Sequence, residues 1–319
     1  MPSTIFSWDK INNFSTILLS IVLEGLPFII IGALVSSFIQ VFISDETVKK
    51  LIPNNKFLGM LSMALIGLVF PICECGIIPI TRKLIKKGVP TCMAITFMLA
   101  VPIVNPVVLL STYYAFIDKT VIVLARAIFG IIGALAIGYL IGELHNKFPL
   151  KNEGQSLGKE YMHDSKCGCN HCEQNQTYGR DNGLLKEIFT HTSSELYDIG
   201  RFFIIGAILS SIMQTFIPRN YIISIGQGKL SSILTMMSIA FLLSICSETD
   251  AFIARTFLGQ FTQGSILAFL IFGPMIDLKN VLMLFGSFNF KFVVKLVFLI
   301  FSVCFIIAVI ANYIPIFIL

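Results

Sequence analysis

Charged side chains are scarce in this chain of 319 residues, where Asp, Glu, Lys and Arg together make up 13%. Hydrophobic residues make up 55%, and the mean hydropathy is +0.85. So little charge indicates an integral membrane protein rather than a soluble one. The net charge of +5 comes from basic residues between the apolar segments, so no nucleic-acid partner is expected.

Two common signatures are also missing. The chain has no Gly-x-x-x-x-Gly-Lys-Ser/Thr loop, because Gly226-Gln-Gly228-Lys229 lacks the first glycine at the required spacing. If ATP hydrolysis powers the activity of this chain, a partner protein would therefore have to bind the ATP. A cleavable signal peptide is not expected either, because Asp9 and Lys10 precede an apolar run far longer than a signal-peptide core.

Long apolar segments are abundant, and about eight of them could cross a bilayer at roughly 20 residues per helix. We predict spans over 16–43, 57–80, 91–117, 120–142, 194–217, 231–255, 262–286 and 292–318. The predicted fold class is therefore all-α, a polytopic membrane protein with about eight transmembrane helices.

Basic residues in the short connections set the expected orientation. The densest group, called the basic cluster below, consists of Arg82, Lys83, Lys86 and Lys87. If this cluster is cytoplasmic, eight spans also place both termini and the basic 145–190 linker in the cytoplasm. The residues that oppose this orientation, because they would fall outside, are Lys49, Lys50 and Lys56.

Polar residues and helix breakers interrupt the second and third predicted spans. The first interruption reads Pro71-Ile-Cys73-Glu74-Cys75-Gly76-Ile-Ile-Pro79, and the second reads Val101-Pro102-Ile-Val-Asn105-Pro106. Backbone freed by Pro and Gly is tolerated at membrane depth only where protein or water satisfies it. Ionisable side chains at that depth mark functional sites. We therefore expect two broken helices that meet at a site.

The second half of the chain repeats the first. Gly32-Ala-Leu-Val-Ser36-Ser37-Phe-Ile-Gln40 is matched by Gly206-Ala-Ile-Leu-Ser210-Ser211-Ile-Met-Gln214. With small shifts in register, Cys73-Glu74-Cys75 falls on Cys246-Ser247-Glu248, and Asn105 falls on Asp277. Matched interruptions are typical of a transporter site at a repeat interface. The expected units are a first membrane repeat (1–144), a cytoplasmic linker (145–190) and a second membrane repeat (191–319).

The relation between the repeats depends on how many segments cross. Four spans in each half predict parallel repeats, related by an axis along the membrane normal. If either cysteine-containing segment enters and leaves on the same side, the repeats are inverted instead. In both cases we expect segments 71–79 and 246–252 to approach each other, with 102–106 and 274–280 beside them.

The residue types at the interruptions define the expected chemistry. Thiols are soft ligands that select Cu(I), Zn or thiophilic metalloids over Mg or Ca, and carboxylates beside them can carry protons. The predicted substrate-binding residues are Cys73, Glu74, Cys75, Asn105, Cys246, Glu248, Asp250 and Asp277. The predicted coupling residues are the matched pair Glu24 and Asp198. Arg126, near the start of the fourth span, is expected to reach the membrane interface and to have no functional part.

The polar linker carries a second group of candidate ligands. Cys167, Cys169, His171 and Cys172 lie within six residues. Three thiols and an imidazole match the ligand chemistry of Zn, Cu(I) or a trivalent metalloid. A soft metal ion here is the one cofactor that the sequence indicates, and an incidental group of reduced cysteines is the alternative.

These motifs resemble those of a known family, the ArsP-type (YraQ-like) predicted permeases. The similar segments are Cys73 to Pro79, the Arg82 to Pro90 turn, Val101 to Pro106, Cys246-Ser-Glu-Thr-Asp250-Ala-Phe and Phe272-Gly-Pro274-Met-Ile-Asp277-Leu-Lys279-Asn280. The resemblance covers the chain apart from 150–185. It implies a bacterial inner-membrane permease of about eight spans. The best characterised branch exports trivalent organoarsenicals through membrane-embedded cysteines, and some relatives work beside a second membrane subunit.

Three function classes stay open. The favoured class is a secondary transporter, an efflux permease for a thiophilic metal, a metalloid or an organoarsenical-like solute, and not an enzyme. The alternatives are an intramembrane thiol oxidoreductase and a non-transporting sensor or assembly subunit. Redox membrane enzymes pair Cys-x-x-Cys with cysteines on an external loop, and this chain has no such loop pair. The expected partners are the bilayer, the substrate, and either a second membrane subunit or another copy of the chain.

Overall fold

Helices account for the regular structure in the parts of the chain that the computed structural model describes, which are residues 8–42, 53, 55–69, 72–144, 149–150, 180–216 and 228–313. The helices are α1 (Trp8–Phe42), α2 (Lys56–Ile66), α3 (Glu74–Lys86), α4 (Thr91–Val104), α5 (Pro106–Ala115), α6 (Val121–Leu144), α7 (Arg180–Phe216), α8 (Lys229–Leu243), α9 (Asp250–Thr256), α10 (Gln263–Met275), α11 (Leu278–Ser287) and α12 (Phe290–Tyr313). The predicted all-α, polytopic membrane class is confirmed.

Within the described residues, six helical segments are long and apolar enough to cross a membrane. They are Trp8–Phe42, Thr91–Ala115, Val121–Leu144, Ile188–Phe216, Gln263–Ser287 and Phe290–Tyr313. Two of these spans are broken near their middle, at Asn105 and at Asp277. Two of the eight predicted segments, 57–80 and 231–255, are not among these six, because each is divided into shorter helices.

The first of these segments forms a hairpin, the first hairpin (56–86), which enters the bundle and returns to the same end. Its first leg, α2, runs parallel to α4, because Gly59 lies against Met93 and Gly67 lies against Val101. Its second leg, α3, is joined to the start of α4 by a short turn and runs antiparallel to α4. The two legs therefore run in opposite directions, and the cysteine-containing segment turns round inside the bundle.

The second segment forms an equivalent hairpin, the second hairpin (229–256). Its first leg, α8, runs parallel to α10, because Ser232 Oγ donates to Ser265 Oγ at 2.9 Å and Ala240 lies against Gly273. The short helix α9 then returns, and a turn leads from it into the start of α10. This hairpin also fails to cross the bundle.

The basic cluster identifies the end of the bundle from which the first hairpin enters, called the basic end below. Lys83 and Lys87 both donate hydrogen bonds to Gln40, in the last turn of α1. Lys83 Nζ also lies 2.8 Å from a carboxylate oxygen of Glu195, in α7. The end of α1 and the early part of α7 therefore lie at the basic end.

The second hairpin enters from the opposite end. There the N–H of Gly264, at the start of α10, donates to Asn312 Oδ1, near the end of α12, at 2.9 Å. The start of α1 and the end of α7 are also there, since the Lys10 ammonium lies 5.4 Å from the ring centre of Phe216. The start of α1 and the end of α12 thus lie away from the basic cluster.

These contacts give the two halves the same order of elements in opposite directions. Each half consists of a long helix, a hairpin, a broken span and a second long helix. α1 ends at the basic end, whereas α7 starts there. The parallel arrangement expected from four spans per half is therefore wrong, and the inverted arrangement expected for re-entrant segments is present. The residue boundaries of the repeats, 1–144 and 191–319, stay a prediction.

The hairpins also bear on the predicted orientation, in which the cytoplasmic location of the termini stays a prediction. The sequence places the termini on the same side as the basic cluster, whereas α1 begins and α12 ends at the other end of the bundle. The reason is that two segments counted as spans reverse direction. Lys56, which opposed the orientation predicted from eight spans, lies at the basic end and faces Glu143 at 3.8 Å.

A labelling experiment tests the inverted arrangement. Lys86→Cys marks the basic end and Asp9→Cys marks the start of α1, each in a chain whose Cys167, Cys169 and Cys172 are serine. Eight spans would put both positions on one side of the membrane, whereas the inverted arrangement puts them on opposite sides. We expect a membrane-impermeant maleimide to label Asp9→Cys in intact cells and Lys86→Cys only after the membrane is opened, because basic residues favour the cytoplasmic side. The same chain without either new cysteine is the control. Equal labelling of both positions in intact cells would contradict the arrangement.

Candidate functional site

Four half-helices start in the middle of the bundle, where the hairpins turn and the broken spans are interrupted. The residues at these starts are Glu74 for α3, Asn105 for α5, Asp250 for α9 and Asp277 for α11. The N-terminus of a helix carries a positive partial charge and free N–H groups. Carboxylate or amide oxygens stand at all four starts, where they match that positive partial charge.

Two of these residues are caps that the sequence explains directly. Asn105 Oδ1 accepts a hydrogen bond from the N–H of Val107 at 2.9 Å, and Pro106 follows as the first residue of the helix. Asp277 Oδ1 accepts from the N–H of Asn280 at 2.6 Å. Each broken span therefore restarts on a cap, and the matched positions in the two halves have the same structural role.

Glu74 lies at the centre of a buried polar cluster and is 3% exposed. Its Oε1 lies 3.3 Å from Lys279 Nζ, and its Oε2 accepts from Ser247 Oγ at 3.3 Å. Lys279 Nζ also lies 3.4 Å from Asp277 Oδ2 and donates to the carbonyl oxygen of Ser244 at 3.4 Å. Glu74 belongs to the first half and its partners to the second, so the two halves meet here.

Three buried, reduced thiols line the same cluster. Cys73 lies within hydrogen-bonding reach of both Cys75 and Cys246. Cys75 Sγ lies 4.0 Å from Asn280 Oδ1. The described parts of segments 71–79 and 246–252 do approach each other, with 277–280 beside them. These thiols with Glu74, Ser247, Asp277 and Lys279 are called the Glu74 cluster below.

Two further carboxylates border the Glu74 cluster. Glu24, in α1, is close enough to interact with the charges of Lys279 and Glu74 and is within hydrogen-bonding reach of Cys246. Glu248 is close enough to interact with the charges of Glu74 and Glu24. Both side chains are half-buried, whereas Glu74 and the thiols are buried. They therefore lie between the buried cluster and the surface of the bundle.

Asp198 and Asn105, both predicted site residues, are not part of this group. Asp198 lies 3.7 Å from Arg201 in a partly exposed pair along α7, and the structure does not bring it to Glu24. Asn105 is buried, and its Nδ2 makes no hydrogen bond within the described residues. Its role in the structure is to cap α5.

A second buried ion pair joins the two halves through Asp250. Arg126 Nη1 and Nη2 donate to Asp250 Oδ1 and Oδ2 at 2.8 and 2.7 Å, and Nη1 also donates to Thr112 Oγ1 at 2.8 Å. Arg126 has no exposed surface. The expectation that Arg126 reaches the interface is wrong, because the other half provides a bidentate partner inside the bundle.

Glu74 and Asp250 have the same position in the two hairpins. Each is the first residue of a second leg, and each pairs with a basic residue of the other half. Aligning the two hairpins by their helix starts therefore matches Glu74 with Asp250. Aligning them by sequence matches Glu74 with Ser247 instead, three residues earlier in the chain. Asp250, predicted to bind substrate, is bonded to Arg126 in this structure.

The Glu74 cluster is closed in this conformation. A cavity of about 10 Å³, near the room that one water needs, lies beside Glu74 and Asn280. No group of three or more His, Cys, Asp or Glu side chains within the described residues is arranged to hold a metal ion. A thiophilic ligand would therefore have to rearrange the thiols on binding.

Two other candidate regions are an apolar groove and the polar linker. A groove of about 590 Å³ between α8, α10, α11 and α12 is lined by apolar side chains such as Phe241, Phe285 and Phe298, so we assign it no part in binding a polar solute. The linker ligands lie outside the described residues, and their metal binding stays a prediction. They are Cys167, Cys169, His171 and Cys172.

Hairpins that enter from opposite ends, with half-helices starting at a charged centre, define a class of protein: they are typical of membrane permeases. The chain belongs to the ArsP_1 family, described as "Predicted permease", whose model matches residues 10–313. It is similar to the UPF0718 protein YcgR of Bacillus subtilis, with 40% identity over 285 residues, 89% of this chain and 92% of that protein.

A second relative comes from Streptococcus mutans and is called "Putative two-component membrane permease complex subunit". It is 37% identical over 283 residues, which cover 88% of this chain and 89% of the relative. No solved structure matches the chain significantly.

The Arg126–Asp250 pair provides a stability test. Arg126→Met should destabilise the protein by about 3–5 kcal/mol because it leaves the Asp250 carboxylate buried and unpaired. Arg126→Met with Asp250→Leu should recover most of that loss, as thermal unfolding in detergent would show. Lys56→Met, at an exposed pair with Glu143, is the matched control and should cost about 0–1 kcal/mol. Equal losses for all three proteins would show that the buried pair does not join the halves.

Proposed function

We propose that this chain is a secondary permease, not an enzyme, that moves a small thiophilic metal or metalloid species out of the cell. The observation that carries the proposal is that the buried thiols of Cys73 and Cys246, one from each hairpin, lie close enough to interact beside the buried Glu74 carboxylate. Soft ions and trivalent metalloids prefer sulfur ligands. A species that bridges these thiols would bind at the point where the two halves meet.

The two hairpins supply a gate for each side of the membrane. The first hairpin separates the Glu74 cluster from the basic end, and the second separates it from the opposite end. A ligand shifts the equilibrium between two conformations of a protein only if it binds them with different affinities. A species bound to both Cys73 and Cys246 favours conformations in which the hairpins are close, and its release allows one hairpin to move.

Carboxylates supply the proton chemistry that thiol binding needs. A thiol must lose its proton to bind a soft metal, so binding releases protons. We propose that Glu74 accepts such a proton, and that the half-buried Glu24 and Glu248 pass it toward the surface. Asp198 is not included because its partner is Arg201. Asn105, Asp250 and Asp277 hold helix starts in place rather than bind the solute.

Thiol oxidoreduction is the less favoured function. Cys73 and Cys75 are each 1% exposed, and the described residues contain no cysteine pair near either end that could exchange a disulfide with them. Disulfide exchange requires direct attack of one sulfur on another. A closed thiol site without a partner pair fits binding and release better than electron transfer.

A second membrane subunit is part of the proposal. α1 and α7 pack together and cover α3 and α11, whereas the equivalent half-helices α5 and α9 keep exposed apolar side chains such as Leu110, Tyr114 and Phe252. The name of the S. mutans relative supports a two-component assembly. Positive charge at the basic end favours a cytoplasmic location for that end, in the inner membrane of a bacterium.

Replacing the thiols tests the transport site. Cys73→Ser/Cys75→Ser keeps nearly the same volume and removes the soft ligands, so uptake of the thiophilic substrate into everted vesicles should fall at least tenfold. Cys304→Ser is the matched control, because Cys304 is also buried but lies against Met275, away from the cluster. Control uptake should stay near wild type. Undiminished transport by the double variant at normal expression would contradict the thiol mechanism.

The linker cysteines have a separate expected effect. If they deliver or sense metal, replacing Cys167, Cys169, His171 and Cys172 with serine should leave folding and vesicle transport intact and change apparent affinity or regulation. Metal content of the purified chain, measured with and without the replacement, should differ by about one ion. Loss of all transport at normal expression would place the linker in the pathway itself.

A further inference from the structure

We propose that the ammonium of Lys279 occupies a binding site for a small monovalent cation, formed by Glu74, Asp277 and the carbonyl oxygen of Ser244. The chain's own lysine would leave this site when a free cation enters. The inference rests on the proposed permease function because it names a coupling ion for the same centre. It does not depend on the thiols binding the transported species.

The first support is the set of atoms around the ammonium. Glu74 Oε1 lies 3.3 Å from Lys279 Nζ, and both Asp277 Oδ2 and the Ser244 carbonyl oxygen lie 3.4 Å from it. Carboxylate and carbonyl oxygens are the ligands that hard cations such as Na⁺ prefer. The lysine headgroup thus lies among oxygens that could also hold a free cation.

The second support is that the ammonium is held loosely. Charge-assisted N–H···O bonds are usually about 2.7–2.9 Å long, and the Arg126–Asp250 pair in the same protein meets that range at 2.7 and 2.8 Å. The three contacts of Lys279 are all longer. Lysine is a point charge on a flexible stem, so it can leave one oxygen for another more readily than a bidentate arginine can.

The third support is an excess of negative groups. Asp277 Oδ2 is buried and makes no hydrogen bond within the described residues, although Lys279 is its near neighbour. Glu24 and Glu248 also interact with Glu74. One ammonium and four carboxyl groups therefore share this region, which favours the entry of another positive charge.

Entry of a cation would act on the contact between the halves. Glu74 belongs to the first hairpin, while Lys279 and Asp277 belong to the broken span of the second half. A cation among these oxygens would displace the Lys279 ammonium from Glu74 and so break the ion pair that holds the first hairpin to α11. Cation binding is in this way linked to opening at the basic end.

Lys279→Met provides the test, because it removes the ammonium and leaves the oxygens. In buffer whose only monovalent cation is the bulky N-methylglucamine, we expect this protein to melt several degrees below wild type. Methylammonium chloride or NaCl at equal ionic strength should restore most of the difference, with half of the effect at millimolar concentration. Wild type should respond little, because its own lysine fills the site.

Glu74→Gln/Lys279→Met is the matched control. It lacks both the ammonium and one carboxylate, so it should show no specific response to methylammonium or Na⁺. If the cation response of Lys279→Met is absent, or is the same in the double variant, the proposal is wrong. Should Lys279→Met fail to fold in any of these salts, Lys279→Gln is measured in the same way, and its failure to respond also overturns the proposal.

The outcomes separate this inference from the proposed thiol function. Loss of transport by Cys73→Ser/Cys75→Ser together with no cation response in the Lys279 variants would leave the thiol site standing and reject the cation site. Normal transport by the thiol variant together with a clear cation response would reject the thiol site and leave the cation site standing.

Discussion

Breaking a helix inside a membrane leaves backbone groups without partners, and this constraint determines the centre of the structure. Unpaired backbone groups are costly where no water is present. Four half-helices start at the centre, and each start carries an oxygen-bearing side chain from Glu74, Asn105, Asp250 or Asp277. Three of these side chains are carboxylic acids, whose ionised forms need cations close by. Lys279 and Arg126 meet that need, and each joins one half of the protein to the other.

The two ion pairs occupy equivalent positions but differ in how firmly they are made. Arg126 binds both oxygens of Asp250 and also Thr112, so both carboxylate oxygens are held by short hydrogen bonds. Lys279 makes longer contacts to three oxygens and has thiols and half-buried carboxylates around it. A short, bidentate ion pair suits a contact between the halves that stays the same. A longer ion pair beside thiols and carboxylates suits a site whose contacts change during transport. The near-symmetry of the halves therefore does not extend to their chemistry.

The sequence predicts the class, the broken helices and the meeting of the two cysteine motifs, because all three follow from composition and from matched interruptions. It does not distinguish a span from a hairpin, since 57–80 has the length and hydrophobicity of either. The difference lies in contacts such as Gly59 with Met93, which show the direction of α2. Arg126 illustrates a second limit: its burial depends on Asp250, which is 124 residues away in sequence. No local pattern contains that pairing.

An inverted pair of halves presents similar surfaces to both sides of a membrane, so the fold alone gives no direction to transport. Direction must come from features present in one half only. The thiols are unequally divided, with Cys73 and Cys75 on the first hairpin and Cys246 on the second. The carboxylates differ too, because Glu24 in α1 lies near Glu74, whereas Asp198 in α7 pairs with Arg201. These differences place Glu24 and two of the three thiols in the first half, whose hairpin enters from the basic end. Under the proposed mechanism, exchange of protons or cations at Glu74 would therefore act first on the hairpin at that end.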